Sequence, residues 1–231
     1  MPAIIDKIGM NCFNDHMDGQ GGIKDNLSVK PDAINTPEAV SGIKRFSDEQ
    51  REHLRTRGYE FFEIPPTSIG KMHNEGKEFT DYNPKNVPFD TVENLPSTPS
   101  EIAINTNQPF IPGSNKKEYA EQNKMIEALS EEINKENPGV KAVRGGVTDL
   151  SSIAFQYQER TGKELFPFFV DGEYSIYGTQ TKLTTASFAT IATGDNDRQV
   201  TLGWRKTEEH PEYVPGQNKN VYAPYIIVPE S

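Results

Sequence analysis

The chain has a single cysteine, Cys12, in 231 residues. One thiol excludes an internal disulfide framework and any CxxC metal pattern, and it fits a reducing compartment. Long apolar runs are missing too. No stretch approaches the roughly 18 consecutive apolar residues of a membrane helix. The start, Met1-Pro-Ala-Ile-Ile-Asp-Lys-Ile-Gly-Met10, lacks the basic opening and long apolar run of a signal peptide. Hydrophobic residues make up only 34%, short of the ~45–50% usual in globular domains, so the expected core is modest and weighted towards its 12 Phe and 9 Tyr. Positive charge is in deficit, with 24 Lys and Arg against 34 Asp and Glu and a net charge of −10. Such a chain repels phosphate backbones and anionic lipid, so neither nucleic acid nor membrane is expected as a partner. The GxxxxGK[ST], GxGxxG and GxSxG patterns are absent, and the four His show no ligand spacing. The expectation is a soluble, cytoplasmic protein with no cofactor and no metal.

What is present is clearest between Lys182 and Arg205. Thr recurs through Lys182–Thr193, joined by Ile191, and Val200, Leu202 and Trp204 alternate with Thr201, Gly203 and Arg205, the period of a half-buried strand. The Gly194-Asp-Asn-Asp197 cluster between them has hairpin-loop chemistry, so a long β-hairpin carrying the only Trp is predicted.

Earlier in the chain, residues 1–35 are rich in turn formers and short on pattern. Ser47-Asp-Glu-Gln50 is a capping box that predicts a helix ending at Gly58. Tyr59–Ile64 reads as a strand stopped by Pro65-Pro66, and Ser68–Asn74 as a turn or two of helix. Residues 76–116, interrupted by six prolines, read as an irregular arm or linker in which only Glu101–Asn105 resembles a strand. Tyr119, Ile126, Leu129 and Ile133 fall on one face of a helix over 117–136. Leu150, Ile153, Ala154 and Tyr157 do the same over 148–161. Pro167 demotes Leu165–Val170 to an edge or bulged strand, and Tyr225–Val228 forms a last strand, with Pro224 suggesting an edge or bulge. The order predicts one α+β domain over 1–231, with a mainly antiparallel C-terminal sheet covered by the two amphipathic helices.

Val143-Arg144-Gly145-Gly146, then Thr184-Thr-Ala-Ser187-Phe188, then Tyr225-Ile-Ile-Val-Pro229 resembles in its order the arginine-type mono-ADP-ribosyltransferases. The resemblance implies that Arg144 grips the dinucleotide phosphates as a bidentate donor and that Ser187 sits in the nicotinamide pocket. It also implies a Glu just ahead of the last strand. None stands there, the nearest upstream being Glu212. A carboxylate opposite the oxocarbenium-like transition state carries much of such catalysis.

Other constellations are weaker. Asn14-x-His16-x-Asp18-Gly19 with Asp25 copies part of a calcium loop, but Asp stands where a bidentate Glu belongs. Cys12 and His16 would need a helix to meet. Carboxylates are plentiful enough for a glycoside-hydrolase pair, yet none is singled out. Tyr174, Tyr177, Phe188, Trp204, Tyr222 and Tyr225 could line a ligand cleft or simply form the core. Arg144, Ser187, Trp204, Tyr177 and Tyr222 are therefore the candidate ligand-binding residues, with no catalytic residue assigned. The functional expectation is a non-catalytic binding or interaction protein whose partner is a protein or small molecule. An enzyme acting on a nucleotide or sugar and a structural component of a larger assembly stand as alternatives.

Overall fold

The computed structural model describes residues 43–80, 90–167, 169–170, 173–184, 187–193, 199–206, 208–209 and 220–230. The chain divides into Met1–Val40 and Ser41–Ser231, and all of these residues belong to the second unit. The calcium-like stretch 14–25, Cys12 with His16, and the 194–197 loop lie outside the described residues.

The fold is α+β. Helix α1 (Asp48–Thr56) starts as its capping box requires: the Ser47 Oγ accepts the Gln50 N–H at 3.1 Å and the Gln50 Oε1 accepts the Ser47 N–H at 2.9 Å. Strand β1 (Glu60–Ile64) follows and stops at the two prolines, which cannot continue a ladder. Helix α2 (Ile69–Asn74) comes next, capped by Ser68. Strand β2 (Phe79–Thr80), helix α3 (Asp90–Glu93) and strand β3 (Ser100–Ile104) fall within the Pro-rich stretch. The Glu101-Ile-Ala-Ile run is therefore a sheet strand, buried at all five positions of β3.

Helix α4 spans Tyr119–Glu136, strand β4 Val140–Val143 and helix α5 Val147–Thr161. A short connection, residues 144–146, joins β4 to α5. A Cβ at Gly145 would lie 2.5 Å from the Leu150 side chain, so only Gly lets the helix fold back this closely. Helix α5 ends at Gly162, whose φ of 70° is the left-handed cap. Strands β5 (Phe169–Val170), β6 (Glu173–Tyr174), β7 (Ile176–Thr184), β8 (Ser187–Thr193), β9 (Val200–Lys206), β10 (Val221–Tyr222) and β11 (Ile226–Pro229) complete the fold.

Two larger sheets result. The first has the order β1-β3-β11-β4 and is antiparallel, with Glu60 opposite Ile104 and Ile226 opposite Val143. The second has the order β10-β7-β8-β9-β2, antiparallel through β7, β8 and β9 and parallel at both outer pairs. Strands β8 and β9 pair without a break from Ser187↔Lys206 to Thr193↔Val200. Lys182 to Thr184, expected to open this hairpin, instead close β7. The last strand differs more. Instead of extending the C-terminal sheet or forming an edge, β11 sits between β3 and β4. Its unbroken Ile226-Ile-Val run is what a strand covered on both faces requires.

The first sheet buries both faces. On one, Phe62, Ile64, Ile102, Ile104 and Ile226 pack with Leu150, Ile153 and Tyr157 of α5 and with Ile191 and Leu202 of the second sheet. On the other, Ala103, Val140, Ala142 and Ile227 pack with Leu54 of α1 and with Ile126 and Ile133 of α4. The two amphipathic helices thus serve different faces. Helix α5 is buried along every residue from Val147 to Phe155, because two sheets close on it. Among the described residues no helix is long and apolar enough to cross a membrane.

Candidate functional site

Among the described residues, one set of side chains open to a ligand gathers where α5 meets the end of β1 and helix α2. Ser152, Phe155, Gln156 and Glu159 lie at spacings of three, one and three, a single face of α5. Opposite them stand Glu63 and Pro65 at the end of β1, Thr67 in the loop, Met72 on α2, and Glu75 and Lys77 just beyond it. Together they line an open groove of about 300 Å³, the lower end of the size range of small-ligand sites.

The groove has an apolar floor and a charged rim. Met72 and Phe155 are buried beneath it, and Phe155 is fixed edge-on against Phe79 at 5.1 Å and 83°. The Gln156 Nε2 donates to the Glu63 carbonyl at 3.1 Å and to the Ser152 Oγ at 3.2 Å, tying the helix to the strand. At the rim the Lys77 ammonium pairs with Glu159 and lies 5.6 Å from the centre of the Phe155 ring. Arg45 pairs with Glu63 at 2.8 Å and Lys71 with Glu75 at 3.9 Å, both from outside the groove. The lining itself therefore carries three carboxylates against one ammonium. Such exposed pairs are individually weak and exchangeable.

The five residues expected from the sequence are placed as follows. Arg144 directly follows β4 and is 4% exposed. Its Nε donates to the Asn123 Oδ1 at 3.0 Å, one terminal nitrogen to the Gly178 carbonyl at 2.8 Å, and the other to the Gln122 Oε1 at 3.0 Å. Its guanidinium carbon lies 4.4 Å from the centre of the Tyr119 ring, a stabilising cation–π contact. No carboxylate is among these partners. Burial accordingly lowers the guanidinium pKa to about 10, against the weaker opposite pull of Tyr119. Arg144 thus spends its fork joining α4 to β7 within the protein.

Tyr177 and Tyr222 meet in the core. Their rings stack at 5.9 Å and 29°, and Phe166 and Phe110 lie 5.2 and 5.7 Å from Tyr177. The Tyr177 hydroxyl donates to the Pro167 carbonyl at 3.1 Å, and burial raises its pKa, with Tyr222 and Glu164 adding to the effect. Tyr225 lies in the other cluster beside Tyr59, the two hydroxyls 3.3 Å apart. Ser187 starts β8 and Trp204 lies in β9 opposite Ala189, and their side chains, like those of Tyr174 and Phe188, lie outside the described residues.

One buried acid stands near the start of α5. Asp149 is 6% exposed and its Oδ1 accepts the Thr98 N–H at 2.8 Å. Burial raises its pKa to about 6, although the N–H groups of Thr98 and Gly146 pull the other way. The N–H of Val147 is occupied by the Thr181 Oγ1 at 2.9 Å, so the turn beyond Gly146 is already engaged by the protein's own side chains.

The groove was not visible in the sequence. Phe155 was its one local signal, an aromatic off the Leu150/Ile153/Tyr157 face of α5. Its opposite wall comes from a segment about eighty residues upstream. Among the described residues no three His, Cys, Asp or Glu side chains gather as a metal site. Compared with family models, curated proteins and solved structures, the chain matches none.

Proposed function

We propose that the protein is a non-catalytic binding protein, and that the groove between α5, α2 and the end of β1 receives a partner group with an apolar body and a cationic tip. The observation that carries this reading is the composition of the groove: Met72 and Phe155 form its floor and Glu63, Glu75 and Glu159 stand at its rim. An apolar body gains by covering the two floor side chains, and an ammonium or guanidinium gains by sharing carboxylates, two of whose present partners, Arg45 and Lys71, are solvent-exposed and the third, Lys77, half-buried. The acidic balance of the whole chain, −10, favours the same sign of partner and disfavours nucleic acid. A reducing compartment, the cytoplasm, suits its one cysteine.

The test uses 2-phenylethylamine and its neutral analogue 2-phenylethanol as probes, followed by ligand-detected NMR. The amine is expected to bind at least about threefold more tightly, the worth of one exposed charge contact. Thr67→Trp, which places a ring in the groove, should abolish binding of both. Equal affinity for the two probes, or binding indifferent to Thr67→Trp, overturns the reading.

A further inference from the structure

The first sheet has two edges, and the molecule treats them differently. At β4 the outward groups are covered by α4: the Ser130 Oγ accepts the Ala142 N–H at 3.1 Å and the Asn134 Nδ2 donates to the Val140 carbonyl at 3.0 Å. At β1 the outward groups can be identified from the ladder. The Glu101 N–H donates to the Lys44 carbonyl at 2.8 Å, on the side of β3 away from β1. Glu63, opposite Glu101, is therefore a position whose own N–H and C=O face outward, and so by alternation is Phe61. The Gln156 Nε2 occupies the Glu63 carbonyl. The Phe61 N–H, the Phe61 C=O and the Glu63 N–H have no partner among the described residues.

An edge left without partners among the described residues is of the kind that templates another strand. The groove begins where this edge ends, since Glu63 belongs to both and Pro65, the next groove residue, directly follows β1. Resting on the reading of the groove as a binding site, we infer that its occupant is an extended peptide segment of a partner protein. The segment's main chain adds to the outer edge of β1 at Phe61 and Glu63, and alternate side chains carry an apolar group onto Met72 and Phe155 and a basic group to the carboxylate rim. Main-chain bonds supply the generic affinity in this mode, and side-chain pockets supply the selectivity. The alternation places every second side chain on the groove side.

The experiment selects a random twelve-residue peptide library displayed on phage against the full chain, then measures the enriched peptides against three variants. Glu63→Pro removes one outward N–H and leaves the ladder to β3 intact, a substitution edge strands accept. Glu63→Gln keeps the main chain and removes the charge. Thr67→Trp fills the groove. Enriched peptides should alternate apolar and basic residues, lose about tenfold or more on Glu63→Pro, the effect of an unmade buried hydrogen bond, and change less than about threefold on Glu63→Gln. In the unaltered protein, bound peptide should slow amide exchange at Phe61 and Glu63 at least about tenfold, as a newly made main-chain bond does, a readout independent of how Glu63→Pro folds.

Peptides that lose binding on Thr67→Trp but neither respond to Glu63→Pro nor slow those two amides sink strand addition and leave the groove reading standing. Peptides indifferent to all three variants, or no enriched peptide, sink both. Equal losses on Glu63→Pro and Glu63→Gln, with no slowing of the two amides, show charge capture alone and overturn the strand. A protein that sediments as a dimer, and as a monomer with Glu63→Pro, assigns the edge to a second copy and overturns the partner peptide.

Discussion

Arg144 and the rim of the groove use charge in opposite ways. Arg144 is 4% exposed, bonded by three of its nitrogens to Asn123, Gly178 and Gln122, and stacked on Tyr119. Its charge is consumed in holding α4, β4 and β7 together. Glu63, Glu75 and Glu159 lie at the surface, each paired with one flexible cation. A charge whose fork is saturated inside the protein fixes the fold. A charge in an exchangeable surface pair beside a formed apolar floor is available to a ligand. An arginine before two glycines draws attention in the sequence, yet the more ordinary glutamates border the open space.

Arg144→Met breaks the comparison most severely. It leaves the buried Gln122 Oε1 and Gly178 carbonyl without their donor, at about 1–3 kcal/mol for each, and also frees the half-buried Asn123 Oδ1. Urea unfolding should show a loss above about 3 kcal/mol, while amine binding in the groove of the folded fraction is unchanged. A loss below about 1 kcal/mol would place Arg144 with the surface charges.

Asp149 sharpens the buried side of the contrast. Its pKa is raised from 3.8 to about 6, with burial as the main cause. The folded state therefore favours the neutral acid. The stability this contributes is complete below pH ~4 and is lost as pH rises through ~6, in total by up to about 3 kcal/mol. Urea midpoints for Asp149→Asn should lack that decline between pH 4 and 7. A decline identical to that of the unaltered chain would contradict the assignment.

The rim should give the smallest stability effect. Glu159→Gln breaks an exposed pair with Lys77 and should cost less than about 1 kcal/mol in the same unfolding measurement. Its amine affinity should nevertheless fall about threefold, on the order of one exposed charge contact. A rim substitution that destabilises as much as Arg144→Met would erase the distinction.

The sequence showed the local devices well and the long-range meetings poorly. The Ser47/Gln50 box and the apolar faces of α4 and α5 are short-range patterns, and the helices stand where those patterns placed them. The alternation of Val200, Leu202 and Trp204 likewise lies in β9. The final strand was legible as a strand but not as an interior one, because its neighbours β3 and β4 lie far upstream. Pro224, which suggested an edge, precedes the ladder and bridges to Phe110 instead. Arg144 was legible as a strong donor. Its acceptors, two on α4 and one a carbonyl of β7, were not, because no spacing rule links residues 122, 144 and 178. The groove failed to show for the same reason, since half of its wall is contributed by Glu63 to Lys77.

The most direct test is a two-dimensional amide spectrum of the full chain titrated with 2-phenylethylamine. Shifts should concentrate at Thr67 to Lys77 and on the Ser152, Phe155, Gln156 and Glu159 face of α5, with Gln122, Asn123 and Arg144 unmoved. Shifts centred on Arg144 and α4, or none anywhere at saturating amine, would contradict the groove as the binding site.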